Sequence, residues 1–402
     1  MNKAGWILIW AIMLLVVLAV QVLAQPLPIA KPEEVGMNSK QLHRVAAAIQ
    51  SAIDNKEFPG AVLLVSRKGK IVMRAAFGRS QWVPEERSMT IDMIFDLASI
   101  TKPVATATSI MILVEQGRIR LWDKVKDFVP DFVPYFDDAG LPSEDARIWH
   151  LLTHTSGLPP YTNAKEIEMR YGTPCPMDSL VRHIAQLKKI APPGTAFHYS
   201  CLGFITLAYI IHHVTGQTIA EFSEQNIFKP LSMNHTFYCP SERYRELCVP
   251  TEVIDGRPLI GIVHDPLARV QGGISGNAGL FSTADDLAIF AQMMLNKGEF
   301  KGVRILSPLS VERMTEVYDK AQFAGRGLGW DLNSDYSTNG GDLFGGRSYG
   351  HTGYTGTSIW IDPETETFII FLTNRVHPND KGSIISLRSK VANIVASSIV
   401  KK

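Results

Sequence analysis

Ser99 and Lys102 stand three residues apart in "LASITKPVATA". At that spacing on a helix the two side chains share one face. A serine hydroxyl is a weak nucleophile until a base is placed beside it. A lysine held out of water has its pKa lowered and can serve as that base. The pair therefore predicts a serine activated for attack on a carbonyl. "DMIFDLAS" leads into it and a helical pattern follows from about Ile100. Unpaired backbone N–H groups and the helix dipole favour negative charge at such a start. A four-residue pattern with two free positions also arises by chance, so further groups must complete the chemistry.

Two more stretches offer them. "FHYSCLGF" places the Tyr199 phenol one residue before Ser200. Facing Lys102, that phenol would have its pKa lowered, take the Ser99 proton and return it to a leaving group. "GHTGYTG", from Gly350 to Gly356, is read inside a C-terminal strand. A strand beside a nucleophile can donate backbone N–H to an oxyanion. Gly353 lets a substrate backbone come close. His351 and Thr352 are candidates to bond a substrate carboxylate or carbonyl.

The elements that must position these groups come from both ends of the chain. "GAVLLVSRKGKIVMRAAFG" reads as two strands turning at "RKGK". Ser348 to Asn374 reads as two or three strands, with "DPETE" as the last turn, and a helix follows from Ser383 to Val400. Between them, from roughly Ala105 to Leu295, the chain reads as helix and loop. Helical runs stop at Gly117, Gly216 and Gly298, and Ser282 or Thr283 caps the third. The expected fold class is α/β (α+β). An antiparallel sheet from about 33–98 and 340–400 is flanked by helices, and a helical region covers about 105–335. A site would fall at the seam.

Composition is that of a globular chain: 402 residues, 46% hydrophobic, formal net charge +1. The near-neutral balance gives no field for nucleic acid. Lys3 precedes "AGWILIWAIMLLVVLAVQVLA". This predicts a signal peptide over 1–24, cleaved before Gln25, or an uncleaved membrane anchor. Export, to the periplasm or beyond, follows either way. The four cysteines are Cys175, Cys201, Cys239 and Cys248. Export permits disulfides, and the spacing leaves two arrangements open: all four free, or Cys239 paired with Cys248.

Ser99-x-x-Lys102, Tyr199-Ser200-Cys201 and His351-Thr352-Gly353, in this order, resemble the three-motif pattern of the serine β-lactamase and penicillin-binding hydrolases. The branch most similar holds the class C β-lactamases, D-alanyl-D-alanine carboxypeptidases and related esterases. "EQGRIRLWDKVKDFVPDF", "HLLTHTSGLPPY", "VHDPLARVQGGISGNAGLFSTADDLA" and "FLTNRVHP" extend the resemblance from about Pro32 to the C-terminal helix. It implies a β-lactamase/transpeptidase-like fold and an acyl-enzyme on Ser99, with Lys102 and Tyr199 handling protons. It implies an oxyanion hole from the backbone N–H groups of Ser99 and Tyr354. It places "GGISGNAGLFS" near the pocket rim.

Two positions depart from that pattern. Cys201 stands where the family usually has asparagine, and a thiol is a poor donor and acceptor for a substrate amide. His351 stands where many β-lactamases have lysine, and a neutral imidazole holds a carboxylate less firmly. His154 and His264 belong to family-like phrases and are read as structural. No metal and no organic cofactor are expected. The expected partner is a small-molecule or peptide substrate of cell-wall origin, with membrane contact only through the N-terminal segment. Alternatives are a carboxylesterase or weak β-lactamase of the same fold. A non-catalytic binder of wall peptides is an alternative of another class, which Cys201 alone favours.

Overall fold

The computed structural model describes residues 27–332, 334, 336 and 339–401. The apolar segment read as an export signal, with its cleavage point before Gln25, lies outside them. Among the described residues no helix is long and apolar enough to cross a membrane.

The strands used below, in chain order, are β1 (Gly60–Arg67), β2 (Lys70–Gln81), β3 (Arg87–Ser88), β4 (Phe95–Asp96), β5 (Phe237–Tyr238), β6 (Leu280–Ser282), β7 (Tyr349–Thr352), β8 (Ser358–Asp362) and β9 (Thr367–Thr373). The helices used below are α1 (Arg44–Asp54), α2 (Thr108–Glu115), α3 (Cys201–Thr215), α4 (Ala284–Leu295) and α5 (Ile385–Ser397). A six-stranded antiparallel sheet runs in the order β7-β8-β9-β1-β2-β3. Both chain ends therefore supply it, as expected. Ala61 pairs with Thr373 and Arg67 with Thr367, which joins the ends at the centre.

β1 is buried along its whole length because both sheet faces are covered. Ala61, Leu63 and Val65 point to one face and pack with Val45 and Ile49 of α1 and Val391 of α5. Val62 and Leu64 point to the other face and join the large core that holds Leu287 and Phe290 of α4. This is the two-residue alternation of a strand. Each fully buried valine or leucine contributes about 1.5–3 kcal/mol. Arg67 ties the ends further, donating to the carbonyls of Val35, Gly36, Thr365 and Lys401.

The helical middle differs from the reading in holding short strands, two of the pairs being the hairpins Val253–Ile254 with Arg257–Pro258 and Glu299–Phe300 with Val303–Arg304. A small sheet of β4, β6 and β5 crosses it, with Phe95 opposite Ser282 and Phe237 opposite Phe281. This sheet carries the chain into Ser99. The predicted helix ends hold: α3 is followed by Gly216 at φ +75°, and Thr283 caps α4 by accepting from the Asp286 N–H. All four cysteines are free.

Candidate active site

Ser99 is delivered by a strained turn. Leu97 N–H bonds the Leu280 carbonyl at 2.9 Å, and Ala98 then adopts φ +46°. That conformation costs a non-glycine residue roughly 1–2 kcal/mol. The Asp96 carboxyl holds it: Oδ1 accepts from Ala98 N–H at 2.9 Å and Oδ2 from His264 N–H at 2.7 Å. Burial pushes the Asp96 pKa up, against those two bonds. Ser99 lies in a short 3₁₀ turn, Ala98–Ile100, not yet in a regular helix. A π-helical stretch, Lys102–Ala107, follows before α2 begins. Such widened turns recur at functional sites.

The Lys102 side chain is fully buried and donates to Ser99 Oγ at 2.9 Å. Its other acceptors are the Asn277 carbonyl at 3.0 Å and Cys201 Sγ at 3.5 Å. The expectation of a lowered lysine pKa is corrected here. Burial does pull it down. Cys201 and Tyr199, next in weight with Asp265 behind them, together outweigh burial and leave it above the ordinary lysine value. An ammonium with three acceptors offers the site a fixed positive charge and N–H donors.

Tyr199 is the group beside it. Lys102 Nζ stands 5.1 Å from the ring centroid. Tyr199 is packed between His154, at 4.3 Å between ring centroids, and Tyr336, at 5.2 Å and nearly parallel. His154 in turn accepts the Ser200 N–H on Nδ1 at 3.0 Å, and Ser200 Oγ donates to the Pro159 carbonyl. These bonds fix the start of α3, and with it Cys201. His154 thus positions Ser200 and His264 positions Asp96 through its N–H, with the His264 ring also 5.7 Å from that of Tyr354.

The third motif is placed differently from the reading. β7 ends at Thr352, and Gly353–Gly356 form a turn. The turn is clamped against the Ser99 segment. A Cβ on Gly353 would lie 2.3 Å from the Leu97 carbonyl, so only glycine fits. Thr355 Oγ1 donates to the Asp96 carbonyl and Thr357 Oγ1 to that of Leu97. Arg388 of α5 donates to the Gly353 and Thr357 carbonyls at 3.1 and 2.9 Å. The Tyr354 side chain turns outward to Asp380, while its backbone N–H meets no acceptor among the described residues.

His351 is 4% exposed. Nδ1 lies 2.9 Å from the Thr352 carbonyl, so this nitrogen carries the proton and Nε2 is left bare. Burial first, then Arg326 and Lys102, hold its pKa well below 6.5. His351 therefore offers an acceptor, not a charge. Thr352, beside it, is half-buried.

Sequence reasoning missed two residues. Asn277 gives its carbonyl to Lys102, so "GGISGNAGLFS" reaches the centre of the site and not merely its rim. Arg326 places its guanidinium carbon 5.9 Å from the Tyr199 ring centroid. The site also gathers buried polar atoms that have no partner: His154 Nε2, Asn277 Nδ2, Arg326 Nε and His351 Nε2. Unpaired buried polar groups are rare in folded proteins. Grouped around one tyrosine and one lysine, they mark where a polar ligand would be held. Among the described residues no cluster of histidine, cysteine and carboxylate side chains could hold a metal.

The comparisons with known proteins concern the family and the fold. A family profile described as Beta-lactamase matches residues 45–392. The N-acetylmuramyl-L-alanine amidase of Bacillus subtilis (strain 168) is 32% identical, over 87% of this chain and 84% of its own. A protein of Salmonella agona (strain SL483), provisionally named D-alanyl-D-alanine carboxypeptidase, is 30% identical over 87% of this chain and 86% of its own. Among solved structures, EstCE1, a hydrolase with promiscuous acyltransferase activity, superposes with TM-score 0.72 at 23% identity over 89% of this chain and 99% of its own. A penicillin-binding protein homolog from Caulobacter crescentus gives TM-score 0.68 at 18% identity over 90% and 99%. At those identities the two structures speak for the fold alone. The sequence match spans most of the chain, and the residues it covers include Ser99, Lys102, Tyr199 and His351: this protein belongs to the β-lactamase family of serine hydrolases.

Proposed function

We propose that this protein is an exported hydrolase that opens an amide bond of a cell-wall peptide through an acyl-enzyme on Ser99. The observation that carries the reading is the buried Lys102 ammonium, 2.9 Å from Ser99 Oγ with Tyr199 alongside. Ser99 Oγ attacks the carbonyl carbon. Its proton passes to Tyr199 and from there to the leaving nitrogen as the carbon–nitrogen bond breaks. Lys102 stays charged and stabilises the alkoxide as it forms. The backbone N–H groups of Ser99 and Tyr354 receive the oxyanion. Water then attacks the ester carbonyl and gives a proton to Tyr199; that proton passes to Ser99 Oγ as the carbon–Oγ bond breaks and the carboxylic acid leaves. The amidase and carboxypeptidase names of the relatives support a wall-peptide amide as substrate.

A second reading, ester hydrolysis, rests on Cys201. A thiol 3.5 Å from Lys102 replaces a side-chain amide, so the substrate amide is gripped less firmly. A panel separates the two: a muramyl peptide, a D-Ala-D-Ala peptide, p-nitrophenyl esters and a chromogenic cephalosporin. Release of free amine from either peptide supports the amidase reading. Turnover of esters alone supports the second. Export is tested by N-terminal sequencing from a native host, where the mature chain should begin at Gln25. A chain beginning at Met1 in the membrane fraction means an anchor.

A further inference from the structure

We propose that Cys201 and Lys102 are an oxidisable pair: a peroxide converts the thiol to a sulfenic acid, which Lys102 then captures as a covalent Sγ–Nζ cross-link. The cross-link is a property of these two side chains and does not depend on the hydrolase reading; only its effect on turnover does.

Lys102 Nζ lies 3.5 Å from Cys201 Sγ. The π-helical stretch that opens with Lys102 packs against α3, which opens with Cys201. Both residues are held in place. Cys201 N–H donates to the Pro160 carbonyl at 2.9 Å, and Nζ is anchored on Ser99 Oγ and the Asn277 carbonyl. Cys201 is half-buried, so a small peroxide can reach it. The other thiols are placed differently. Cys175 and Cys239 donate to the carbonyls of Pro176 and Gly272, and no lysine touches Cys175, Cys239 or Cys248 among the described residues. A second group marks the same spot. Asn277 is 1% exposed and its Nδ2 has no partner. An oxygen placed on Sγ would be the acceptor that this donor lacks.

Burial pushes the Cys201 thiol pKa up, with Asp265 adding to it, while Lys102 and the Asn277 amide pull the other way. The thiol therefore stays largely protonated at neutral pH, and its reaction speeds up as pH rises. The thiolate attacks one peroxide oxygen. The Sγ–O bond forms, the O–O bond breaks, and the second oxygen leaves as hydroxide and takes up the thiol proton as water. Sulfur loses two electrons and the peroxide gains them. Lys102 gives one proton to solvent, and its lone pair attacks Sγ. The Sγ–O bond breaks, and the oxygen leaves as water with a second proton from Nζ. A free thiol reverses the change: it attacks Sγ, forms a mixed disulfide and releases Lys102, and a second thiol frees Cys201. While cross-linked, Lys102 has no charge to place beside Ser99.

The test uses the full chain and hydrogen peroxide. Peptide mapping by mass spectrometry, without reduction, should find the Lys102 peptide joined to the Cys201 peptide, the pair lighter by two hydrogen atoms. Turnover of a p-nitrophenyl ester should fall by at least about 10²-fold as the cross-link forms, the scale of losing a proton-transfer group. Dithiothreitol should restore it. The cross-link should form faster at about pH 9 than at about pH 7. Cys201→Ser, scored against its own untreated rate, should resist peroxide. Lys102→Ala should stop at the sulfenic acid, which dimedone traps. A wild-type Cys201 that gains oxygen without joining Lys102 overturns the proposal. So does a Cys201 peptide left unmodified, an equal loss of turnover in Cys201→Ser, or a loss that dithiothreitol does not reverse. If Cys201→Ser does not fold, the wild-type peptide map decides. No ester turnover and no Ser99 adduct before peroxide is added sinks the hydrolase reading, and the peptide map still decides the cross-link.

Discussion

Lys102 donates to Ser99 Oγ across 2.9 Å and to the Asn277 carbonyl across 3.0 Å, from a position sealed from solvent. Burial pulls the Lys102 pKa down, and Cys201 and Tyr199 beside it more than offset that, leaving it above the ordinary lysine value. In the mechanism proposed above, proton abstraction falls to Tyr199, with Lys102 as its electrostatic partner. Lys102→Ala and Tyr199→Phe should each lower kcat by at least about 10²-fold, the scale of general-base catalysis. The double variant should lose little more than either single, because the two act as one unit. Stopped-assay rates on a p-nitrophenyl ester measure this. Full activity in Tyr199→Phe would return the base role to Lys102.

Cys201 and His351 should set the substrate range. Neither grips a β-lactam as asparagine and lysine would at these positions: the thiol is a weak partner, and the imidazole is neutral. Short-chain esters should therefore be hydrolysed faster than a cephalosporin. Cys201→Asn with His351→Lys should shift kcat/KM toward the β-lactam. A wild type that already prefers cephalosporins would show that these residues are not the limitation.

Asp96 should matter without touching substrate. It accepts the N–H of Ala98, in its left-handed turn, and that of His264. Asp96→Ala leaves both donors buried and unpaired, at about 1–3 kcal/mol each. The variant should melt at lower temperature and label more slowly at Ser99. Unchanged melting would mean that the Gly353–Thr357 clamp alone fixes the turn.

Much of this site is legible in the sequence because it is local. Ser99 and Lys102 meet by helical spacing, and the helix ends carry glycine. His351 and Gly353 announce themselves by a strand-end motif. What is not legible comes from distant segments. Arg326 stands in "GRGLGW" with no periodicity around it, and only the fold brings it to Tyr199. Asn277 acts through its carbonyl, which its residue type does not signal. β4 and β5 are two residues long, too short to display a period. The direction of the Lys102 pKa depends on Cys201, ninety-nine positions away.

Acid should destabilise the protein early. Burial holds His154 and His351 well below 6.5, and burial together with the neighbouring Arg147 charge holds His150 at about 3. In the unfolded chain these histidines bind protons near pH 6.5, so the unfolded state gains as pH falls. Each contributes a slope of up to about 1.4 kcal/mol per pH unit below that point. Asp286, raised to about 6 chiefly by burial, works the other way only as it takes up its proton. Melting temperature should therefore begin to drop between pH 6.5 and 6. A melting temperature that is flat or rising through that window would contradict the neutral, buried histidines.

The most direct test is to find the residue that becomes acylated. The full chain is treated with a fluorophosphonate, digested, and the adduct mapped by mass spectrometry. One adduct is predicted, on the peptide that holds Ser99, absent in Ser99→Ala and slowed in Lys102→Ala and Tyr199→Phe. An adduct on another serine or on Cys201, or undiminished ester turnover in Ser99→Ala, would contradict the account.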